Sequence, residues 1–419
     1  MSLTLDQLDA KARGILIDND RGGYTIPTSG LYPYQWNWDS VFAAYGFATF
    51  DMARAWREMR SLFSGQWENG MVPHILFHKE SRGYYPGPDI WAGIGPIASS
   101  GVTQPPVAAT FIRKMYEAAP AEGARHLRDL FPKLKRWHGW FMKHRLHRDA
   151  VCVTHPWESG RDNAPDWDGA MRRMVIGELE PYTRADTAHV DPSMRPTKFD
   201  YDRFLWLVKL GREARWDEVK LAEAPAFRVA DPTMSFTLLR ANRDLEVIAA
   251  HLGEDGSEIA GWIARLELGC QTLWDPDLGA YTGRDALTGA FSGALSNASF
   301  LCWYAGLGNA QMLAHLRRVL SEVSYGVPSH DPSAEGFDAR RYWRGPVWAI
   351  MNTMIGLGLA KAGHAEEAET IRAQTARLIS DHGFAEYYDP LTGAPAGGHD
   401  FTWTAAVWLA WVRKENGRD

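Results

Sequence analysis

Two stretches of the chain set carboxylates among aromatic side chains. The first, THPWESGRDNAPDWD at residues 154–168, holds Glu158, Asp162, Asp166 and Asp168 among Trp157, Arg161, Asn163 and Trp167 on a Pro- and Gly-punctuated loop. Clustered carboxylates raise one another's proton affinity, and a neighbouring indole adds desolvation in the same direction. An acid in that setting stays protonated near neutral pH. Arg161 acts the other way, since its paired donors stabilise a carboxylate. The pattern therefore selects the cluster and not its member. A calcium-binding or purely structural acidic loop is the other reading, although calcium loops alternate their oxygen ligands around a glycine and this segment does not.

The second stretch is HGFAEYYDPLTGAPAGGHDFTWTAA at residues 382–406, where Glu386 stands beside Tyr387 and Tyr388. Asp389 precedes a proline and is expected in a turn, which leaves Glu386 as the better base, oriented by nearby phenols. A surface glutamate at a helix end is the alternative. One protonated and one ionised carboxyl are what inverting glycoside hydrolysis needs, the acid for the leaving oxygen and the base for water. Such a pair stands about 6.5–9.5 Å apart, whereas about 5–5.5 Å marks direct nucleophilic attack with retention.

The aromatic content fits a sugar cleft: 19 tryptophans, 15 tyrosines and 17 phenylalanines, many in polar loops. Indole stacks on the apolar face of a pyranose while polar groups meet its hydroxyls. In YPYQWNWDSVF, residues 32–42, Tyr32, Trp36 and Trp38 are candidates for such contacts. Asp39 either accepts sugar hydroxyls or caps a helix beginning at Ser40. Arg340, Arg341, Tyr342, Trp343 and Arg344 form another cluster, whose arginines suit an anionic part of a substrate or pairing with the acidic loops.

Helices must position these loops. Apolar residues recur at three- and four-residue spacing over about 39–50, 51–64, 104–118, 123–147, 197–211, 233–252, 256–273, 293–306, 309–323, 346–362, 364–382 and 400–415. Gly253 and Gly363 read as helix ends. Extended segments are few, VCVTH at 151–155 and HILFH at 74–78. Regular strand and helix alternation is absent, which argues against a TIM barrel or doubly wound sheet. The expected fold is an all-α toroid of six helical hairpins, with residues 1–419 as a single catalytic domain and inserted loops at about 65–103 and 152–196.

A formal net charge of −6 without a basic block makes nucleic acid an unexpected partner. Three scattered cysteines, Cys152, Cys270 and Cys302, suggest neither a disulfide framework nor a zinc site. No apolar run spans a bilayer, and the first residues lack the basic and apolar pattern of a secretory signal, so a cytoplasmic location is expected. No cofactor or metal is required for two-carboxylate chemistry. Homo-oligomer formation is left open.

YPYQWNWDS, HPWESGRDNAPDWD, YWRGPVWAIMNTMIGLGL and GFAEYYDPLTG, in this order, resemble the clan of inverting α-glycosidases with an (α/α)6 barrel, which includes trehalases and glycoside hydrolase family 63. The resemblance spans roughly residues 30–412 and is nearest the compact bacterial branch with mannosylglycerate and glucosylglycerate hydrolases. It implies Asp162 as general acid and Glu386 as general base. It also implies sugar contacts from Tyr32, Trp36, Trp38, Asp39 and Gln104, a cavity-lining loop at Trp343, Arg344 and Gly345, and a closing flap at Tyr84 and Tyr85. The substrate so implied is a small α-glucoside or α-mannoside such as glucosylglycerate or mannosylglycerate, with Arg344 or another loop arginine on an anionic aglycone. Trehalase or another small α-glucosidase is the alternative; a glycoside phosphorylase, an epimerase or a non-catalytic carbohydrate-binding protein are further ones.

Overall fold

The computed structural model describes residues 3–79, 84–184 and 190–413. Six helices form an inner ring: Asn37–Phe47, Ala108–Ala118, Pro232–Leu252, Cys302–Ala305, Ala349–Lys361 and Thr402–Val407. Each packs on the next, and the last packs back on the first. An outer layer is made by Leu5–Asp18, Met52–Ser64, Pro120–His144, Ser257–Gln271, Ala310–Glu322 and Ala365–His382. This is the (α/α)6 toroid expected from the sequence.

The two layers differ in composition as their surroundings require. Every residue of Asn37–Phe47 is buried, and so is most of Ala349–Lys361. A helix covered on all sides must be apolar all round. Met52–Ser64 instead buries one stripe, including Ala55, Trp56, Met59, Leu62 and Phe63, at the three- and four-residue spacing of an outer helix.

Three local expectations need correction. The helix at Lys198–Glu213 is real, yet it stands outside the ring against the short helix Pro88–Trp91. The ring takes Leu5–Asp18 in its place, packed on Thr402–Val407. That helix buries only Leu8, Ala12, Ile15 and Leu16 and is closed by a Thr4/Gln7 capping box, a signal easily lost in a charged terminal segment. Next, the segment expected as a helix over 293–306 is a 3-10 turn, Ser299–Leu301, running into one helical turn, Cys302–Ala305. Finally, Asp39 does not cap: the helix starts at Asn37, with Trp36 in the capping position and no side-chain cap. Gly253 and Gly363 do sit at helix ends with positive φ.

Strands are short and serve the loops. Gln35–Trp36 pairs antiparallel with Ile75–Leu76. Leu146–His147, Ala150–Val153, Val229–Ala230 and Arg284–Asp285 form a small sheet beneath the segment carrying Asp162. No helix of the described residues is long and apolar enough to cross a membrane.

Candidate active site

The loops and the amino ends of several inner helices enclose a cavity of about 110 Å³. Tyr32, Trp36, Trp38, Asp39, Tyr84, Gln104, Asp162 and Glu386 all line it. Residues from the first and last tenths of the chain thus face one small space.

Glu386 sits at the start of a hairpin, Tyr387–Tyr388 paired with Pro395–Ala396. Its backbone is held by Gly398, whose carbonyl accepts from Glu386 N–H at 2.8 Å, and by the Trp403 indole, which donates to the Glu386 carbonyl at 3.2 Å. Oε1 accepts from the Tyr32 and Tyr342 hydroxyls at 2.9 and 3.2 Å. Oε2 accepts from Gly398 N–H at 2.9 Å. Burial raises the proton affinity of this carboxyl above the ordinary glutamate value, against the Arg195 charge and these donors, which lower it. The orienting phenols are therefore Tyr32 and Tyr342 rather than the adjacent Tyr387 and Tyr388. Tyr388 instead donates to Gly383 O, and Tyr387 packs on Trp348.

The acidic loop separates into one cavity residue and three ion-paired ones. Glu158 is buried against Arg145 at 3.0 Å and accepts from Thr154 N–H at 2.7 Å. Asp166 and Asp231 flank Arg161 at 3.0 Å each, with all three side chains inaccessible to solvent. Asp168 pairs with Arg344. Asp162 alone of the four lines the cavity, half-buried. Its peptide is fixed on the amino side: Ser159 Oγ accepts from Arg161 N–H at 3.0 Å, and Arg161 O accepts from the Trp167 indole at 2.9 Å. Gly160 is required beside it, because φ is +67° and a Cβ would fall 2.5 Å from the Trp38 ring.

Asp39 is the third carboxyl at the cavity. Burial, then the charges of Glu386 and Asp162, push its proton affinity well above the usual aspartate value. Since it does not cap its helix, the first-turn donors find other partners: Asn37 N–H donates to His74 O at 2.9 Å and Trp38 N–H to Gln104 Oε1 at 3.2 Å.

Trp343, Arg344 and Gly345 are not among the lining residues. Trp343 is buried in a parallel stack on Trp348 at 3.8 Å, behind Trp38 at 6.4 Å. Gly345 N–H donates to Ser329 Oγ, and a Cβ there would meet Asp338 O at 2.3 Å. Their neighbour Tyr342 is the member of that segment that reaches the cavity. The arginine lining it is Arg195, with its guanidinium 4.2 Å from the Tyr342 ring centre and Nη2 3.4 Å from the Tyr32 hydroxyl. Sequence reasoning missed Arg195, whose only local mark is an extended conformation before Pro196. It also missed His74, Trp91, Tyr201, Phe204, Phe401 and Trp403 as lining residues. Tyr84 packs edge-on to Tyr34 and Trp36 at 5.2 and 5.7 Å, and Tyr85 lies parallel to Tyr182 at 5.9 Å. Residues 80–83, also in the flap segment, lie outside the described residues.

The chain has relatives of matching length among known proteins. The chain is 46% identical over 413 residues to a mannosylglycerate hydrolase of Selaginella moellendorffii, covering 96% of this chain and 85% of the relative. It is 36% identical over 447 residues to a glucosylglycerate hydrolase of Mycolicibacterium hassiacum, covering 98% and 99%. The crystal structure of a family 63 mannosylglycerate hydrolase of Thermus thermophilus, in complex with Tris and D-glycerate, superposes with a TM-score of 0.94 at 43% identity, covering 97% of this chain and all of that one. Residues 32–404 match the model of the mannosylglycerate hydrolase MGH1-like glycoside hydrolase domain, and the chain belongs to that family.

Proposed function

We propose that this glycoside hydrolase cleaves a small α-mannoside or α-glucoside of glycerate with inversion, using Asp162 as general acid and Glu386 as general base. The observation that carries the reading is a single aromatic cavity lined by both carboxyls and by Arg195. The glycone sits against Trp36 and Trp38, with its hydroxyls held by Asp39 and Gln104. Asp162 gives its proton to the glycosidic oxygen as the bond to the anomeric carbon lengthens. Glu386 takes a proton from water arriving at the opposite face, and the sugar leaves as the β-anomer. The Arg195 charge and the donors from Gly398, Tyr32 and Tyr342 favour the ionised form of Glu386 against the effect of its burial, as a base requires.

Arg195 supplies a cation for an anionic aglycone, the task the sequence offered to Arg344 or another loop arginine. A glycerate carboxylate is the group that two relatives' substrates share by name. Tyr84 closes over the bound substrate and excludes bulk water. A cytoplasmic location is supported by three cysteines that are free and buried. Reading residues 1–419 as one catalytic unit is supported by the packing of Leu5–Asp18 on the last inner helix.

Mannosylglycerate, glucosylglycerate, trehalose and uncharged α-glucosides, followed by NMR from the first turnover, test the proposal. Release of β-anomer from a glycerate glycoside is expected, with turnover lost in Asp162→Asn and Glu386→Gln. Initial α-anomer overturns inversion, and a preference for uncharged substrates overturns the glycerate assignment.

A further inference from the structure

His74 lines the same cavity, yet neither acid, base nor the expected sugar contacts account for it. The ring is buried, 4% exposed, and is set between Trp91, edge-on at 5.5 Å, and Trp157, near parallel at 6.2 Å. Burial, with the neighbouring His155, pushes its proton affinity well below the ordinary histidine value, so the ring is neutral. A neutral imidazole carries its proton on one nitrogen, and the partner of the other nitrogen decides which.

Here the partner is Ser100. Its Oγ lies 2.8 Å from Nδ1 of His74 and accepts from Ile75 N–H at 3.1 Å. The hydroxyl proton has two acceptors to choose between, Nδ1 at 2.8 Å and Val102 O at 3.4 Å. Val102 O already receives His74 N–H at 2.8 Å. The shorter, otherwise unserved acceptor wins, so the serine donates to Nδ1 and the ring proton resides on Nε2. That nitrogen has no hydrogen-bond partner among the described residues.

His74 is also tied to the layer expected to hold the sugar. Its carbonyl accepts from Asn37 N–H, the residue between Trp36 and Trp38, and Trp38 N–H in turn binds Gln104. We infer that His74 is a specificity residue: its Nε2–H, fixed as a donor by Ser100, donates to one hydroxyl of the glycone. The inference rests on the glycosidase reading above. It explains why an imidazole, rather than another apolar ring, fills a slot between two indoles: the slot needs a flat ring with one inward-facing donor that stays uncharged.

The test uses the free hexose products as probes, with dissociation constants for glucose, mannose and their monodeoxy analogues measured by calorimetry alongside hydrolysis. His74→Phe keeps the ring and its stacking but removes the donor, and His74→Gln offers an amide N–H near the position of Nε2. In the wild type, removal of one particular hydroxyl should weaken binding by about tenfold, the cost of one unmade hydrogen bond. His74→Phe should weaken the parent hexose by a similar factor and become indifferent to that hydroxyl alone, with His74→Gln regaining part of the loss. Ser100→Ala, which frees the tautomer, should fall between wild type and His74→Phe. If the wild type cleaves α-glycosides while His74→Phe keeps the full deoxy-sugar profile, the inference is overturned and the glycosidase reading stands. If the wild type binds no hexose and cleaves no α-glycoside, both fall together.

Discussion

Replacing Gly397 by alanine should impair the proposed base, Glu386, without changing it chemically. A Cβ at this position would lie 2.3 Å from Oε2 of Glu386 and 2.8 Å from its Cβ, with the Tyr387 ring at 2.7 Å. Ordinary contact begins near 3.4 Å, so the carboxylate must retreat by about 1 Å. It has little freedom to do so, being held by Tyr32, Tyr342 and Gly398. A misplacement of about 1 Å costs roughly 100-fold in rate, or ~2.7 kcal/mol of barrier. Loss of the Gly398 donor to a charged oxygen alone is worth ~1.5–3 kcal/mol, the same order.

The substitution also strains the backbone, because Gly397 has φ of +72°. Left-handed conformation costs an alanine ~1–2 kcal/mol of fold stability. Gly363→Ala separates the two effects: φ there is +86°, and nothing lies within 4 Å of where the added methyl would stand. Both variants should lose the strain's share of stability in urea melts, Gly397→Ala more because of its clash, while only Gly397→Ala loses about two orders of magnitude in kcat/KM. A folded Gly397→Ala enzyme within threefold of wild type would refute the claim that this glycine fixes the carboxylate. Equal activity losses in both variants would attribute the effect to strain instead.

Three other perturbations address the rest of the site. Tyr342→Phe removes a donor 3.2 Å from Glu386 Oε1. Burial already raises this carboxyl's proton affinity and the donors restrain it, so losing one raises it further. The base works ionised and is lost as pH falls through its pKa; the acid limb of kcat/KM should therefore move to higher pH, with activity on that limb down roughly tenfold. An unmoved limb contradicts the assignment of Glu386. Arg161→Met leaves Asp166 and Asp231 buried without their shared cation and should cost ~3–5 kcal/mol in chemical denaturation, a loss under 1 kcal/mol being the refuting result. Arg195→Gln should raise KM for a glycerate glycoside at least about tenfold and leave KM for an uncharged α-glucoside nearly unchanged, although loss of the charge beside Glu386 moves the acid limb of both to higher pH; equal effects on both KM values would remove the arginine from aglycone binding.

Much of the fold was legible because most helices of the two layers are long and periodic. Residues expected in helices at 51–64, 233–252 and 364–382 lie in Met52–Ser64, Pro232–Leu252 and Ala365–His382. Periodicity says nothing of which helices share a ring, however. Lys198–Glu213 buries Tyr201, Phe204, Leu205 and Val208 at helical spacing, and only packing shows that it supports the aromatic wall at Tyr201 and Phe204 rather than the toroid. The one-turn helix Cys302–Ala305 fails for the opposite reason. It is buried on every side, so no polar face marks its period or its start.

In the site, local sequence located the acidic cluster and could not rank its members, because the ranking is set by arginines. Arg161 is a near neighbour of Asp166, but Glu158 is neutralised by Arg145 and Asp168 by Arg344, 176 residues away. Asp162 is the member of the cluster that lines the cavity.

Glu386, the proposed base, presents the converse case. Its neighbours in sequence, Tyr387 and Tyr388, turn away, while Tyr32 reaches it across 354 residues. That reach follows from closure of the ring. Thr402 N–H donates to Pro27 O and its hydroxyl to Ile26 O, Asn19 donates to Thr402 Oγ1, and Thr28 donates to His399 O. These bonds fasten the segment before Tyr32 to the last inner helix and its hairpin. Leu5–Asp18, the helix hardest to read, packs on that same inner helix. The contacts that close the toroid therefore also bring Tyr32 to Glu386, and the amino-terminal helix packs against that closure from outside the cavity.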